Sequence, residues 1–102
     1  MKMNKVEKEI KEIEGQVEAF LDRELASPDC NPGFLLLGKV SESREHIIRI
    51  GTSILCTKRE VGYPGGSFVQ AIVNNDLMGA FGRADRVNRD CIGFYCKLLY
   101  NL

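Results

Sequence analysis

Tryptophan does not occur in this chain, histidine occurs once, as His46, and proline three times. Charge of one sign is lacking as well, because 14 Lys and Arg stand against 14 Asp and Glu. That balance argues against a general nucleic-acid or membrane-surface binder, whose affinity draws on an excess of Lys and Arg over the whole footprint. A nucleic-acid partner is the lesser expectation, confined to a local basic patch. Long apolar runs are missing too. The longest is Phe34-Leu35-Leu36-Leu37, far short of the roughly 20 residues that span a membrane. Met1-Lys2-Met3-Asn4-Lys5 leads into Glu and Lys rather than the apolar stretch of a signal peptide, which predicts a cytoplasmic protein without a membrane partner.

The four cysteines, Cys30, Cys56, Cys91 and Cys96, contain no Cys-x-x-Cys pair, and one histidine cannot complete a spaced zinc motif. Reduced thiols packed as small hydrophobes are expected, with no metal and no cofactor. No nucleophile stands beside its base, no paired acidic motif occurs, and G-x-x-x-x-G-K-[ST] is absent. The expectation is a protein that is not an enzyme.

What is present is 102 residues with 44% hydrophobic content, enough for one small domain over 1–102. So short a chain buries a modest share of its surface, and a partner subunit would add to its stability. Met3, Val6, Ile10, Ile13, Val17 and Phe20 step by three and four, the spacing of a coiled-coil seam, and predict an N-terminal helix within 1–26. Val6, Ile10, Ile13 and Val17 are accordingly the candidate surface for a homo-oligomer or, equally, for packing on the chain's own domain. Ser27-Pro28-Asp29-Cys30-Asn31-Pro32-Gly33 ends that helix. Two strand candidates follow, 34–40 and 46–50, joined by Ser41-Glu42-Ser43-Arg44-Glu45, and predict an antiparallel β-hairpin over 34–58. A helical pair over 67–101 completes the expected α+β fold. Ser67 is placed to cap a helix running to about Phe81, Gly82 to end it, and Asp85 to cap the last helix.

Pro64-Gly65-Gly66-Ser67-Phe68 sets a glycine pair directly before a helix, where free N–H groups and the helix dipole receive anions and Phe68 or Tyr63 is positioned to stack on a base. Asp76 falls on the apolar face of the predicted helix and needs a partner, Arg83 or Arg86, or else a ribose hydroxyl. Asn74 and Asn75 interrupt the same helix at some propensity cost, and their amides suit a base edge. Arg83, Arg86 and Arg89 recur every three residues. Asp85 with Arg89 and Arg86 with Asp90 are helical-neighbour pairs, which leaves Arg83 as the arginine free for a phosphate. The candidate ligand set is therefore Gly65, Gly66, Ser67, Phe68, Asn74, Asn75, Asp76, Arg83 and Arg86.

Pro-Gly-Gly-x-Phe at 64–68, Asn75-Asp76-Leu77, Ala80-Phe81-Gly82-Arg83-Ala84-Asp85, Asn88 and Tyr100-Asn101 together resemble a C-terminal module of small phage and prophage proteins of unknown function. The resemblance covers about 40 residues and implies a mobile-element origin, with action inside a host cell. By analogy, a sponge that sequesters a host nucleotide signal, a cyclic nucleotide or an ADP-ribose derivative, is the first expectation. The alternatives are an interaction module that inhibits a host defence protein, in the manner of an anti-CRISPR, and a nucleic-acid-binding accessory protein.

Overall fold

Asn4 opens the first helix by accepting the Glu7 N–H on its Oδ1 at 2.8 Å, a side-chain cap on a free backbone donor. The computed structural model describes residues 4–26 and 40–102. Helix α1, Lys5–Ala26, buries Ile13, Val17, Phe20 and Leu21 on one stripe and turns its charged residues outward. Helix α2, Val40–Arg59, runs antiparallel to it: Arg44 near its start meets Asp22, Gly51 meets Val17, and Gly62 just beyond its end meets Ile10.

The expected hairpin is thus corrected. Residues 46–50 lie in α2, no strand occurs among the described residues, and the protein is all-α there rather than α+β. Of the first strand candidate, 34–40, residue Val40 opens α2 and 34–39 lie outside the described residues. Ile47, Ile48 and Ile50 favour strands locally because β-branching restricts the side chain in a helix. Burial overrides that small preference. Ile47, Ile48, Ile54, Leu55 and Cys56 all enter the core.

Helix α2 is the hub, packing against α1, against α3 (Ser67–Val73), against α5 (Arg86–Asp90) and against α6 (Ile92–Asn101). Gly51 makes the central crossing. A Cβ there would lie 2.8 Å from Val17 Cγ1 and 3.1 Å from Leu98 Cδ2, so α1 and α6 both approach where α2 has no side chain. Phe20, Phe94, Tyr95 and Phe68 form a chain of tilted and edge-on rings, with centroids 5.7 to 5.9 Å apart, that joins α1, α6 and α3. Arg44 to Asp22 at 2.8 Å and Lys97 to Glu24 at 3.1 Å tie the outside of α1 to α2 and α6. No helix among the described residues is long and apolar enough to cross a membrane.

The C-terminal half departs from a simple helical pair. The helix expected from Phe68 to Phe81 is broken into α3 and α4, Leu77–Arg83. The break is the Asn74-Asn75 pair. Asn75 takes φ 60°, its N–H reaches Ile72 O at 3.1 Å, and the Asp76 N–H reaches Ala71 O at 2.8 Å, which closes α3 with a Schellman motif. Gly66, not Ser67, is the N-cap of α3 and supplies no side-chain bond. Gly82 lies inside α4, whose C-cap is Ala84. Asp85 is an N-cap, accepting the Asn88 N–H at 2.7 Å, but of α5 and not of the last helix, because the single helix expected there is divided at Cys91 into α5 and α6.

Candidate functional site

The α3–α4 corner brings together part of the expected ligand set. Ser67, Gln70, Ala71, Asn74, Asp76 and Arg83 line an open depression of about 210 Å³. Asp76 sits there as the N-cap of α4. Its Oδ1 accepts the Gly79 N–H at 2.9 Å, and its Oδ2 lies 3.9 Å from Arg83 Nη1. Both side chains are about half exposed, so this is a loose surface contact and not a desolvated ion pair. A Cβ on Gly79 would meet the Asp76 carboxylate and the Arg83 guanidinium, the ends of two half-exposed side chains that would have to shift.

Other members of the set are engaged elsewhere. Phe68 is buried edge-on against Tyr95 and has no face for a base. The Gly65 N–H donates to Thr57 Oγ1 at 2.8 Å, and a Cβ on Gly65 would meet Ser53 and Val69. That glycine docks the loop on α2 rather than offering its amide to an anion. Gly66 is exposed with open space around it, and Asn75 is exposed at the left-handed turn. The arginines reverse the expected order: Arg83 has an acidic neighbour, whereas Arg86 and Arg89 are exposed and make no ion pair among the described residues. The N-terminal seam divides. Ile13 and Val17 are buried in the chain's own core, Ile10 is partly buried against it, and Val6 is 44% exposed.

A polar cluster that the sequence did not reveal lies between α2, α5 and α6. Tyr95 OH donates to Asn88 Oδ1 at 2.9 Å, and His46 Nε2 approaches the same oxygen at 3.1 Å. Arg49 Nη2 lies 3.0 Å from His46 Nδ1. A guanidinium only donates, so Nδ1 is the acceptor and Nε2 carries the proton. Asp85 Oδ2, 3.4 Å from Nε2, completes the ring of partners. Tyr95 and Asn88 are buried, and burial drives the Tyr95 hydroxyl well above its usual pKa. The neighbouring Cys91 thiol is pushed up to about 12 by the same desolvation. Both hold their protons at neutral pH. The cluster bonds three helices together, and its single imidazole has both nitrogens occupied.

Cys56 and Cys91 are buried free thiols, as the composition implied, while Cys96 is exposed on α6 and Cys30 lies outside the described residues. No group of three or more metal-ligating side chains occurs among the described residues. The feature that periodicity concealed is the outer face of α4. Leu77 is 46% exposed, Met78 87% and Phe81 52%, while Ala80 on the opposite side is buried. A helix break at Asn75 was the available signal, since it rotates residues 77–83 away from the register of α3. The chain matches no protein-family model, no curated protein and no solved structure at a significant level.

Proposed function

We propose that this protein is a non-enzymatic protein-interaction module whose contact element is α4. The observation that carries the reading is the exposure of Leu77, Met78 and Phe81 on one two-turn helix. Single exposed apolar residues are ordinary on any surface, but a contiguous group of them marks an interaction site. Methionine and phenylalanine are enriched in interface cores, and methionine adapts to the shape of what it meets. The test places a photo-crosslinking amino acid at Met78 or Phe81 and, as a control, at the exposed Lys11 of α1, in cells that express the protein. Adducts to protein from positions 78 and 81 but not from 11 support the reading, and no adduct from α4 rejects it.

The second reading keeps the nucleotide expectation, because Ser67, Asn74 and Arg83 share one depression. Its volume falls below the roughly 300 Å³ at which ligand pockets begin, and Phe68 offers no stacking surface. Arg83 with the Asn74 amide suits the phosphate of a nucleotide whose base lies outside. A thermal-shift panel of nucleotides, cyclic dinucleotides and ADP-ribose tests it. A midpoint rise that Arg83→Ala removes supports this reading, and a flat panel sets it aside.

A further inference from the structure

We propose that the groove between α1 and α2 receives a basic amphipathic helix of a partner protein, a contact separate from the α4 face.

The groove holds about 520 Å³. Its floor is Ile48 and Thr52 of α2, both buried, with the half-buried Ile10 of α1. Thr52 donates its hydroxyl to Ile48 O at 2.7 Å, so its donor is spent within α2. Above this floor Glu14 and Glu18 stand along one wall, and Glu45 and Arg49 along the other. Arg49 is the one base of the lining, and its Nη2 is engaged by His46 Nδ1 at 3.0 Å. Among the described residues only Glu18 of the three acids has an ion pair, to Arg44 at 3.8 Å, and that guanidinium lies closer to Asp22, at 2.8 Å. An acidic rim over an apolar floor is complementary to a ligand that is apolar beneath and cationic at its edges.

Spacing narrows the class to a helix. Glu14 and Glu18 are about 6 Å apart along the α1 axis, and two bases four residues apart on a second helix have the same rise. Two antiparallel helices leave a groove of the kind in which a third packs. The fold already contains one contact of this design. Phe20 and Glu24 lie about 120° around α1 from Glu14 and Glu18, and there α6 turns Phe94 in on Phe20 and sets Lys97 Nζ on Glu24 Oε2 at 3.1 Å. The partner repeats that pattern on the open flank, with apolar side chains inward and lysines or arginines on the glutamates.

The test is fluorescence anisotropy of a labelled amphipathic peptide of Leu, Ala and Lys, its lysines four residues apart, with the purified full chain. Saturable binding is expected, weakened by added salt. It is expected to fall about tenfold when Glu14, Glu18 and Glu45 are all changed to Gln, the sum of three exposed ion pairs. Glu14→Lys with Glu18→Lys is expected to lose this peptide and to gain one with glutamates in place of the lysines. These positions are exposed, so thermal melts by circular dichroism are expected to stay unchanged. Two controls fix the place. Glu12→Gln with Glu60→Gln and Asp90→Asn removes the same charge elsewhere and is expected to weaken binding less, and Met78→Gln is expected to leave it unchanged.

No saturable binding overturns the proposal, as does an equal loss in the charge control. A loss in Met78→Gln with the groove glutamates silent puts the peptide on α4 and overturns it too. A two-copy mass in light scattering that Glu14→Lys with Glu18→Lys abolishes makes the occupant a second copy, and the partner helix is then rejected.

Discussion

Asn88 stands at the junction of three helices, and its value lies in one oxygen. Oδ1 accepts from the Tyr95 hydroxyl and from His46 Nε2, while the backbone N–H of the same residue is held by Asp85. Asn88→Leu keeps the volume and removes the acceptor, which leaves a fully buried tyrosine hydroxyl without a partner. A buried donor left unpaired costs about 1–3 kcal/mol. Urea denaturation is expected to show a loss of that size, with part of it recovered when Tyr95→Phe removes the stranded hydroxyl. An unchanged midpoint in Asn88→Leu would mean that the Tyr95 hydroxyl has another acceptor. Cys91 beside this cluster, with its pKa raised to about 12, stays a thiol where an ordinary cysteine ionises.

At the scale of the element, helix ends and crossings decide what a substitution does. On sequence grounds Asp76 was expected to be either one half of a buried ion pair, whose loss would cost about 3–5 kcal/mol, or a contact to a ligand. As the exposed N-cap of α4 it holds one backbone donor, so Asp76→Ala is expected to cost only about 1 kcal/mol in a thermal or urea melt. A loss of 3–5 kcal/mol would restore the buried-pair view. Gly51 behaves in the opposite way to an ordinary helix glycine. Exchange for Ala in a free helix gains about 1 kcal/mol, but here the new methyl meets Val17 and Leu98 at 2.8 and 3.1 Å. Gly51→Ala is expected to be net destabilising, within the 1–3 kcal/mol typical of overpacking. Val17→Ala in the same chain should then cost less than it does alone, a coupling that a double-mutant cycle measures directly.

For the molecule as a whole, the sequence was legible where one stripe reported one contact. The α1 stripe shows itself in Ile13, Val17 and Phe20, because they face one continuous core. Asp85 was readable as a cap because its bond to the Asn88 N–H is local. Helix α2 was not readable. It packs on four neighbours, so apolar residues occupy much of its circumference and blur the 3.6-residue period, and at Gly51 the stripe has no side chain to count. The β-branched Ile47, Ile48 and Ile50 then tipped the local reading toward a strand. Of the candidate site, Ser67, Asn74, Asp76 and Arg83 were found together because a short corner joins them. Gln70 went unread because nothing local marks it, and the exposed α4 face because the turn at Asn75 resets the register.

The meeting of Val17, Gly51 and Leu98 also sets a timetable for synthesis. Val17 and Leu21 leave the ribosome well before the part of α2 that covers them. The gap at Gly51 is filled on its other side only when Leu98 arrives, 47 positions later in the chain. Until α2 is made, α1 carries its apolar stripe uncovered and relies on the lysines and glutamates of its outer face to stay dissolved. A nascent chain halted before residue 98 therefore holds an unsealed core, and a chaperone that recognises apolar helices has its longest opportunity on this protein while α1 and α2 wait for α6.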